Sequence, residues 1–536
     1  MIKDWLFRRQ TNILSAASVI AVAVLASRIL GLFKYRLLTE RFSVADIGVF
    51  ITAFRLPNTV FDLIVMGALT TAFIPVFTSY LTRAKHEEAD KVASTILNLS
   101  ILVFAVLSVV FFIFADVLVR LIAPGLTAKE VALAVPFTRI MLIGQTLPLI
   151  LGNFLTGILQ SHKRFLIPAL APVVYNLGII LGIWFLSPMI GLYGAVWGVV
   201  LGAVLFLLIQ IPVSLHLKFN YQFKLDLKLP GVKEVGRMIV PRTLGLAMTQ
   251  LNYIANLVIS SLISVRAITI FSFAQQLAQL PIGVFAATIA QAALPTLSEE
   301  NEKGDQFSSF KKTFLTSWHQ ILFLVSPAAV ILVVLRIPIV RLVYGASKFD
   351  WPATVDTGRT LAFLGIGLVA EAAINLLVRS FYALHDSKTP VIVGSLMVAL
   401  NILLSVVFIF ILNAGVIGLA AGASIADSLS GLILFYLLHR RIKLFDLKSL
   451  VFPAGKILLA AGVTGLALYI PLKLLDQLVF DTTRTVPLIL LTGTVATIGL
   501  AVYLFLTWVL EIEELRNCKT SLSISSYPVT QFRDVS

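Results

Sequence analysis

Apolar residues in this chain come in long blocks separated by short polar stretches. Residues 97–115, 394–413 and 487–510 are three such blocks, each near the length of about 20 residues at which a helix crosses a hydrocarbon core of about 30 Å. They are rich in Leu, Ile, Val, Ala and Gly and lack the strict alternation of a barrel strand, so the pattern predicts helices. Counting blocks between polar loops gives about 14 spans. They cover residues 12–36, 45–80, 92–117, 131–158, 165–187, 190–215, 234–261, 265–296, 311–342, 358–384, 388–413, 416–438, 453–474 and 486–510. Several are longer than a bilayer requires, so their ends are expected to project or tilt. The expected fold class is an all-α polytopic membrane protein.

The pattern repeats. Residues 191–198 read GLYGAVWG and residues 415–422 read GVIGLAAG, both placing glycine as G-x-x-G-x-x-x-G at the start of the sixth and twelfth spans. Asn176 and Asn401 precede these glycines at nearly the same distance. Further upstream RFLIPALAP (164–172) mirrors SKTPVIVG (387–394), and ALTTAFIP (68–75) resembles TIAQAALP (288–295). Spans 1–6 and 7–12 therefore read as two homologous lobes, and an even number of spans keeps both in the same orientation. This is the parallel-repeat transporter plan, with a cavity expected between lobes near the bilayer midplane. The expected organisation is an N-lobe over 1–220, a C-lobe over 221–445, spans 13 and 14 over 446–510 outside the repeat, and a polar, Ser-rich tail over 511–536 that is expected to be disordered.

Composition supports the membrane reading. The chain is 58% hydrophobic and 13% charged, against about 25% charged in soluble domains, too few charges to solvate a water-facing surface. The net charge of +15 could suggest nucleic acid, but the basic residues sit in short loops between apolar blocks. That is the positive-inside pattern, and no nucleic acid partner is expected. With the N-terminus inside, loops near Arg83, Lys85 and Lys91, near Lys163 and Arg164, over 218–237 and 303–312, at Lys388 and over 440–456 face the cytoplasm. An even number of spans returns the C-terminus to the same side. Lys3, Arg8 and Arg9 precede the first block, which runs past Arg28 without a convincing cleavage site and reads as an uncleaved helix. Cys518 is the single cysteine, which excludes an intrachain disulfide and a multi-cysteine metal site.

Charges at bilayer depth are costly and mark function. Here they are Arg28, Lys34 and Arg36 in the first span, Arg55 and Asp62 in the second, Arg139 in the fourth, Arg242 in the seventh, Glu371 and Arg379 in the tenth, and Asp427 in the twelfth. Cations predominate, most clearly in the N-lobe, and a cationic cavity suits an anion such as phosphate, whose oxygens match the guanidinium fork. The seventh and eighth spans add Gln250, Asn252, Asn256, Gln275, Gln276, Gln279 and Gln291, and the glutamine-rich face of the eighth offers amides able to bind sugar or peptide. Some charges have structural alternatives. Lys34 and Arg36 can snorkel to the interface, Arg139 and Arg242 can anchor there, and Arg55 with Asp62 or Arg379 with Glu371 stand about two turns apart on one helix. Arg28 has no acid within helical reach. There is no Walker A loop, HExxH or dinucleotide fingerprint, and the six histidines form no ligand spacing. The chain reads as a transporter rather than an enzyme, without cofactor, driven by a sodium or proton gradient, the membrane potential or the substrate gradient.

The stretches SRILGLFKYRLLTERF (27–42), FRLPNTVFDLIVMGALTTAFIPVF (54–77), GILQSHKRFLIPALAPVVYNLGIILG (157–182), LAQLPIGVFAATIAQAALPTLS (277–298) and FYALHDSKTP (381–390) resemble the MurJ (MviN) family of lipid II flippases, within the multidrug/oligosaccharidyl-lipid/polysaccharide exporter superfamily. The resemblance covers roughly residues 10–510 and implies a 14-span fold in the bacterial cytoplasmic membrane. It implies export of an undecaprenyl-pyrophosphate-linked glycopeptide, with membrane lipids and cell-wall synthesis proteins as further partners. Arg28 matches the family arginine of SR-x-x-G. The next family arginine is Lys34 here, the acid that commonly follows is Tyr35, the second-span arginine after the Pro57–Asn58 pair is Phe61, and the eighth-span arginine is Gln276. The substrate-binding set implied is Arg28, Lys34, Asn58 and Gln276, with Arg242 as a substitute charge. Some members use a sodium site in the second lobe. Asn401 fits one of its polar positions, while Ser405 stands where an acid is expected. Other readings stay open at this stage: a flippase for another lipid-linked glycan, a cation-coupled drug exporter, and a membrane glycosyltransferase or scaffold.

Overall fold

The computed structural model describes residues 13–64, 72–217, 219–303, 305, 307–443, 447–480 and 484–515, without the side chains of 13–19, 21, 63–64, 240–248, 447–448 and 478. Regular structure among the described residues is entirely helical. Twelve stretches are long and apolar enough to cross a membrane. Two more helices, Ile13–Arg41 and Pro230–Ile263, stand where the first and seventh spans are expected. The apolar faces left uncovered by neighbouring helices, such as Phe185, Leu466 and Val486, are what a chain presents when lipid is its solvent.

Several spans are interrupted where the sequence reads as continuous. Helices Ala128–Gly144 and Thr146–Ser161 meet at Gln145, and Ser308–Val334 gives way to Arg336–Tyr344 at Leu335. The expected second span appears as helices Val44–Ile64 and Ile74–Thr82, with residues 65–71 between them outside the description. Single π turns occupy Gly182–Leu186, Ile282–Ala286 and Val407–Ile411. Such turns are rare and concentrate at functional positions.

The two glycine motifs share a local geometry. The fifth and eleventh spans each end in a π turn, and Gly191 and Gly415 then take φ of +60° and +56° to start the next helix. A side chain would be strained there. In the first motif the helices Leu166–Leu181 and Leu192–Leu208 touch backbone to backbone. A Cβ on Gly182 would lie 2.1 Å from Gly198 Cα, and one on Gly178 would lie 2.3 Å from Gly202 Cα. No flexible side chain stands there to give way, so Gly182→Ala is expected to force the helices apart and cost about 1–3 kcal/mol. Gly462→Ala, whose Cβ meets nothing within 4 Å, is expected to be neutral or mildly stabilising. Thermal denaturation of the two purified variants in detergent checks this difference.

The described residues form two compact units, those of Met1–Ile270 with Val343–Ala353 and those of Phe271–Leu342 with Thr354–Ser536. The first has a core of Val60, Phe73, Phe77, Ile96 and Phe154, with Phe73 stacked on Phe77 at 5.0 Å and tilted against Phe154 at 5.1 Å between ring centroids. In the second, helices Leu447–Leu478 and Thr485–Val509, outside the sequence repeat, pack on Ser308–Val334 around Phe323, Ile457 and Tyr503. The Tyr503 hydroxyl donates to the Phe323 carbonyl at 2.8 Å, which satisfies its one polar atom in an apolar setting.

One end of the first unit is a tight seam. Thr269 Oγ1 donates to the Val44 carbonyl at 2.7 Å, and the amide of Lys348 donates to the Thr39 carbonyl at 3.0 Å. Arg266 Nη2 holds both oxygens of Asp350 at 2.8 Å. Gly48 and Gly125 permit the closest approaches. A Cβ on Gly48 would stand 2.2 Å from the Val265 carbonyl oxygen, and one on Gly125 would stand 1.9 Å from that of Ser261.

Candidate functional site

The first helix presents the SR-x-x-G motif to helix Leu166–Leu181, and Asn176 organises the contact. Its Nδ2 lies 3.2 and 3.1 Å from the carbonyl and hydroxyl oxygens of Ser27, to which it donates. Its Oδ1 accepts from Lys34 Nζ at 3.4 Å. Lys34 also lies 4.7 Å from the ring centroid of Tyr35. Its ammonium is thus held by an amide and an aromatic face within the first unit, which is not the snorkelling alternative open to a lysine near a helix end. Arg28, partly buried one residue beyond Ser27, has no hydrogen bond or ion pair among the described residues. The structure therefore fixes the backbone at residue 27 and leaves the next guanidinium available.

Helix Val44–Ile64 carries a polar stripe. Arg55, Asn58 and Asp62 are spaced three and four residues apart, which puts them on one helix face. Asn58 Oδ1 accepts from Nε2 of the fully buried Gln145 at 3.1 Å. Arg55 and Asp62 are not a direct pair. Gln250 of helix Pro230–Ile263 stands between them, accepting from Arg55 Nη2 and donating to Asp62 Oδ2 at 3.0 Å. The ring of Tyr253 lies 4.7 Å from the Arg55 guanidinium carbon. The sequence places Arg55 and Asp62 on one face and marks Gln250 as a polar residue at membrane depth, but does not pair it with Arg55, 195 residues away.

Arg242 lies in helix Pro230–Ile263, but its side chain is outside the described residues. Gln276 sits in the second unit, partly buried on helix Val265–Pro281. In that unit Gln279 Nε2 donates to Glu371 Oε1 at 2.5 Å. Arg379 does not pair with Glu371; its Nη1 donates to the Ala287 carbonyl at 2.6 Å, just past a π turn. Asp427 lies within electrostatic reach of Glu371. Arg139 is an anchor, donating from Nε to the Phe112 carbonyl at 3.0 Å over the Phe112 ring.

Asn401 and Ser405, the second-lobe candidates for sodium, are buried against Gly422, whose added Cβ would fall 2.8 Å from Ser405 Oγ. Ser405 Oγ donates to Asn401 Oδ1 at 3.3 Å, so these two neutral oxygens are partly committed to each other. A bare cation at membrane depth requires countercharge, and with serine in the acid's place the pair does not fit sodium. Among the described residues no group of three or more His, Cys, Asp or Glu could hold a metal ion.

The FYALHDSKTP stretch proves to be a helix start. Asp386 accepts from the backbone amides of Lys388 and Thr389 at 3.1 and 3.0 Å, from the Thr389 hydroxyl at 2.8 Å and from Arg441 Nη1 at 2.5 Å. Partial burial raises the carboxyl pKa, but the Thr389 bonds, the Arg441 charge and the Lys388 amide together outweigh it and hold the group below its ordinary value. A carboxylate depressed in the folded state stabilises above its unfolded pKa and loses that contribution as pH falls through the folded one. Melting temperature is therefore expected to drop more steeply below about pH 4 in wild type than in Asp386→Asn, which a pH series of thermal melts reads directly.

A model of the family described as lipid II flippase MurJ matches residues 42–488. The lipid II flippase MurJ of Burkholderia cenocepacia is 29% identical over 441 residues, spanning 80% of this chain and 84% of that protein. The probable lipid II flippase MurJ of Bdellovibrio bacteriovorus is 28% identical over 521 residues, or 95% and 97% of the two chains. Among solved structures, a lipid II flippase MurJ in an inward closed conformation superposes with a TM-score of 0.74 at 24% identity, covering 90% of this chain and 98% of that one.

Proposed function

Because the chain belongs to the lipid II flippase MurJ family, we propose that it carries lipid II, the undecaprenyl-diphosphate-linked glycopeptide precursor of peptidoglycan, from the inner to the outer leaflet of the bacterial cytoplasmic membrane. It is a multi-pass transporter, with both termini cytoplasmic in this reading. The observation that carries the proposal is the family match across residues 42–488. Arg28 supplies its chemical basis, as a membrane-depth guanidinium with no protein partner among the described residues.

The diphosphate is the fixed element of the substrate, and Arg28 and Lys34 are the groups that meet it. Charge-assisted hydrogen bonds to such groups contribute about 1.5–3 kcal/mol each. Lys34 exchanges its contact with the neutral Asn176 amide for a phosphate oxygen, and Asn58 adds a polar contact to the headgroup. The apolar tail stays in the bilayer. In this topology the seam that joins residues 39–48 to 261–269 and 343–350 faces the outside and is closed, so the headgroup is admitted from the cytoplasm and released when the seam parts. Reconstitution in liposomes tests the substrate. Labelled lipid II is expected to exchange between leaflets, and faster exchange of a lipid-linked glycan lacking the peptide would favour a different cargo.

A further inference from the structure

Arg55 is tied in an unusual way for a charge at membrane depth. A guanidinium offers five donors in a rigid fork. Among the described residues Nη2 donates to Gln250 Oε1, and Nε is buried with no acceptor at all. An orphaned donor on a buried charged group is costly, and such exceptions call for a physical reason. The neighbouring acid does not supply the missing acceptor: Asp62 Oδ2 accepts instead from the other end of the Gln250 amide at 3.0 Å. One neutral amide thus joins helix Val44–Ile64 to helix Pro230–Ile263, while the guanidinium that anchors it lacks an acceptor for part of its fork.

A neutral amide is a weak partner for a guanidinium beside a phosphate, which takes the fork through two oxygens. The Tyr253 ring lies 4.7 Å from the guanidinium carbon, over a face of the fork, so a phosphate would approach in the plane of the guanidinium. Phe61 stands on the same helix where the family resemblance implies a cation, and Arg55 is the basic side chain that helix Val44–Ile64 carries. We propose that Arg55 is a diphosphate-binding residue, held by Gln250 in the unliganded protein and released when a lipid diphosphate arrives. Substrate binding then unties helix Pro230–Ile263 from helix Val44–Ile64. This inference rests on reading the chain as a carrier of lipid-linked diphosphates.

The test measures binding of two probes, undecaprenyl diphosphate and lipid II, to the full chain in nanodiscs by native mass spectrometry. Arg55→Gln is expected to weaken both at least tenfold. Gln250→Glu, nearly isosteric, gives Arg55 a charged acceptor while setting a second carboxylate beside Asp62, and is expected to weaken both probes at least fivefold. A purely structural tie would leave binding by the folded variant unchanged, and unchanged binding in Gln250→Glu overturns the proposal even if Arg55→Gln fails to fold. Wild type that binds undecaprenyl diphosphate but not lipid II, with Arg55→Gln weakened, supports Arg55 and removes the lipid II reading. Wild type that binds neither probe overturns both.

Discussion

Arg28→Ala is expected to reduce lipid II export at least tenfold at unchanged protein level. The argument starts from cost. A guanidinium at membrane depth is several kcal/mol uphill unless it serves a partner or a ligand. Among the described residues Arg28 has no partner, yet the backbone beside it is fixed by the Asn176 contacts to Ser27. Removing the side chain breaks no bond within the described protein, so folding should be preserved. What is lost is one or two charge-assisted bonds to the diphosphate, about 1.5–3 kcal/mol each, or tenfold and more in binding. Arg28→Lys keeps the charge without the fork and is expected to fall between. Translocation in liposomes, normalised to folded protein, checks the series. Normal export by Arg28→Ala would remove it from the site.

Gly48→Val is expected to abolish transport for a different reason. Its Cβ would stand 2.2 Å from the Val265 carbonyl oxygen, and backbone on both sides leaves nothing soft to yield. The seam could not close, and in the proposed topology, where it faces outside, a carrier held open there cannot take headgroups from inside. Export is expected to fall to less than about a tenth, while Gly236→Val, with nothing within 4 Å, is expected to behave as wild type. The single native cysteine, Cys518, can be replaced, and a reporter cysteine placed at Thr269, which is fully buried in the seam. An impermeant maleimide should label it from outside in the Gly48→Val background and leave it largely unlabelled otherwise. A protected reporter together with normal export would show that the wedge is accommodated.

The membrane architecture was readable because length and hydropathy are local properties: a block of about 20 apolar residues is a helix wherever it packs. The three π turns were not readable, since the apolar pattern runs through them unchanged, and the breaks at Gln145 and Leu335 show only as single polar interruptions, Gln145 itself and Arg336, inside otherwise apolar blocks. The glycine motifs were legible as close packing, and the structure adds that in the first of them backbone meets backbone at Gly182 and Gly198. The candidate site was legible in part. Arg28 and Lys34 stood out by type and depth and Asn176 as a mark of the repeat, but that Asn176 holds both Ser27 and Lys34 depends on helices 142 residues apart at Lys34. Spacing along one helix suggested that Arg55 meets Asp62 and Arg379 meets Glu371. Tertiary partners intervene in both cases, Gln250 in the first and the Ala287 carbonyl in the second. Asp386 was legible as part of a family signature, but its work as a helix cap for 388–406 and partner of Arg441 appears only once the chain is folded.

The most direct measurement is the amount of lipid II exposed on the outer face of bacteria depleted of their own lipid II flippase and supplied with this chain. The chain is expected to restore outer-face lipid II and growth together, and the same cells carrying Arg28→Ala are expected to accumulate lipid II inside. A correctly inserted, well-expressed wild-type chain that leaves lipid II trapped on the inner face would contradict the account.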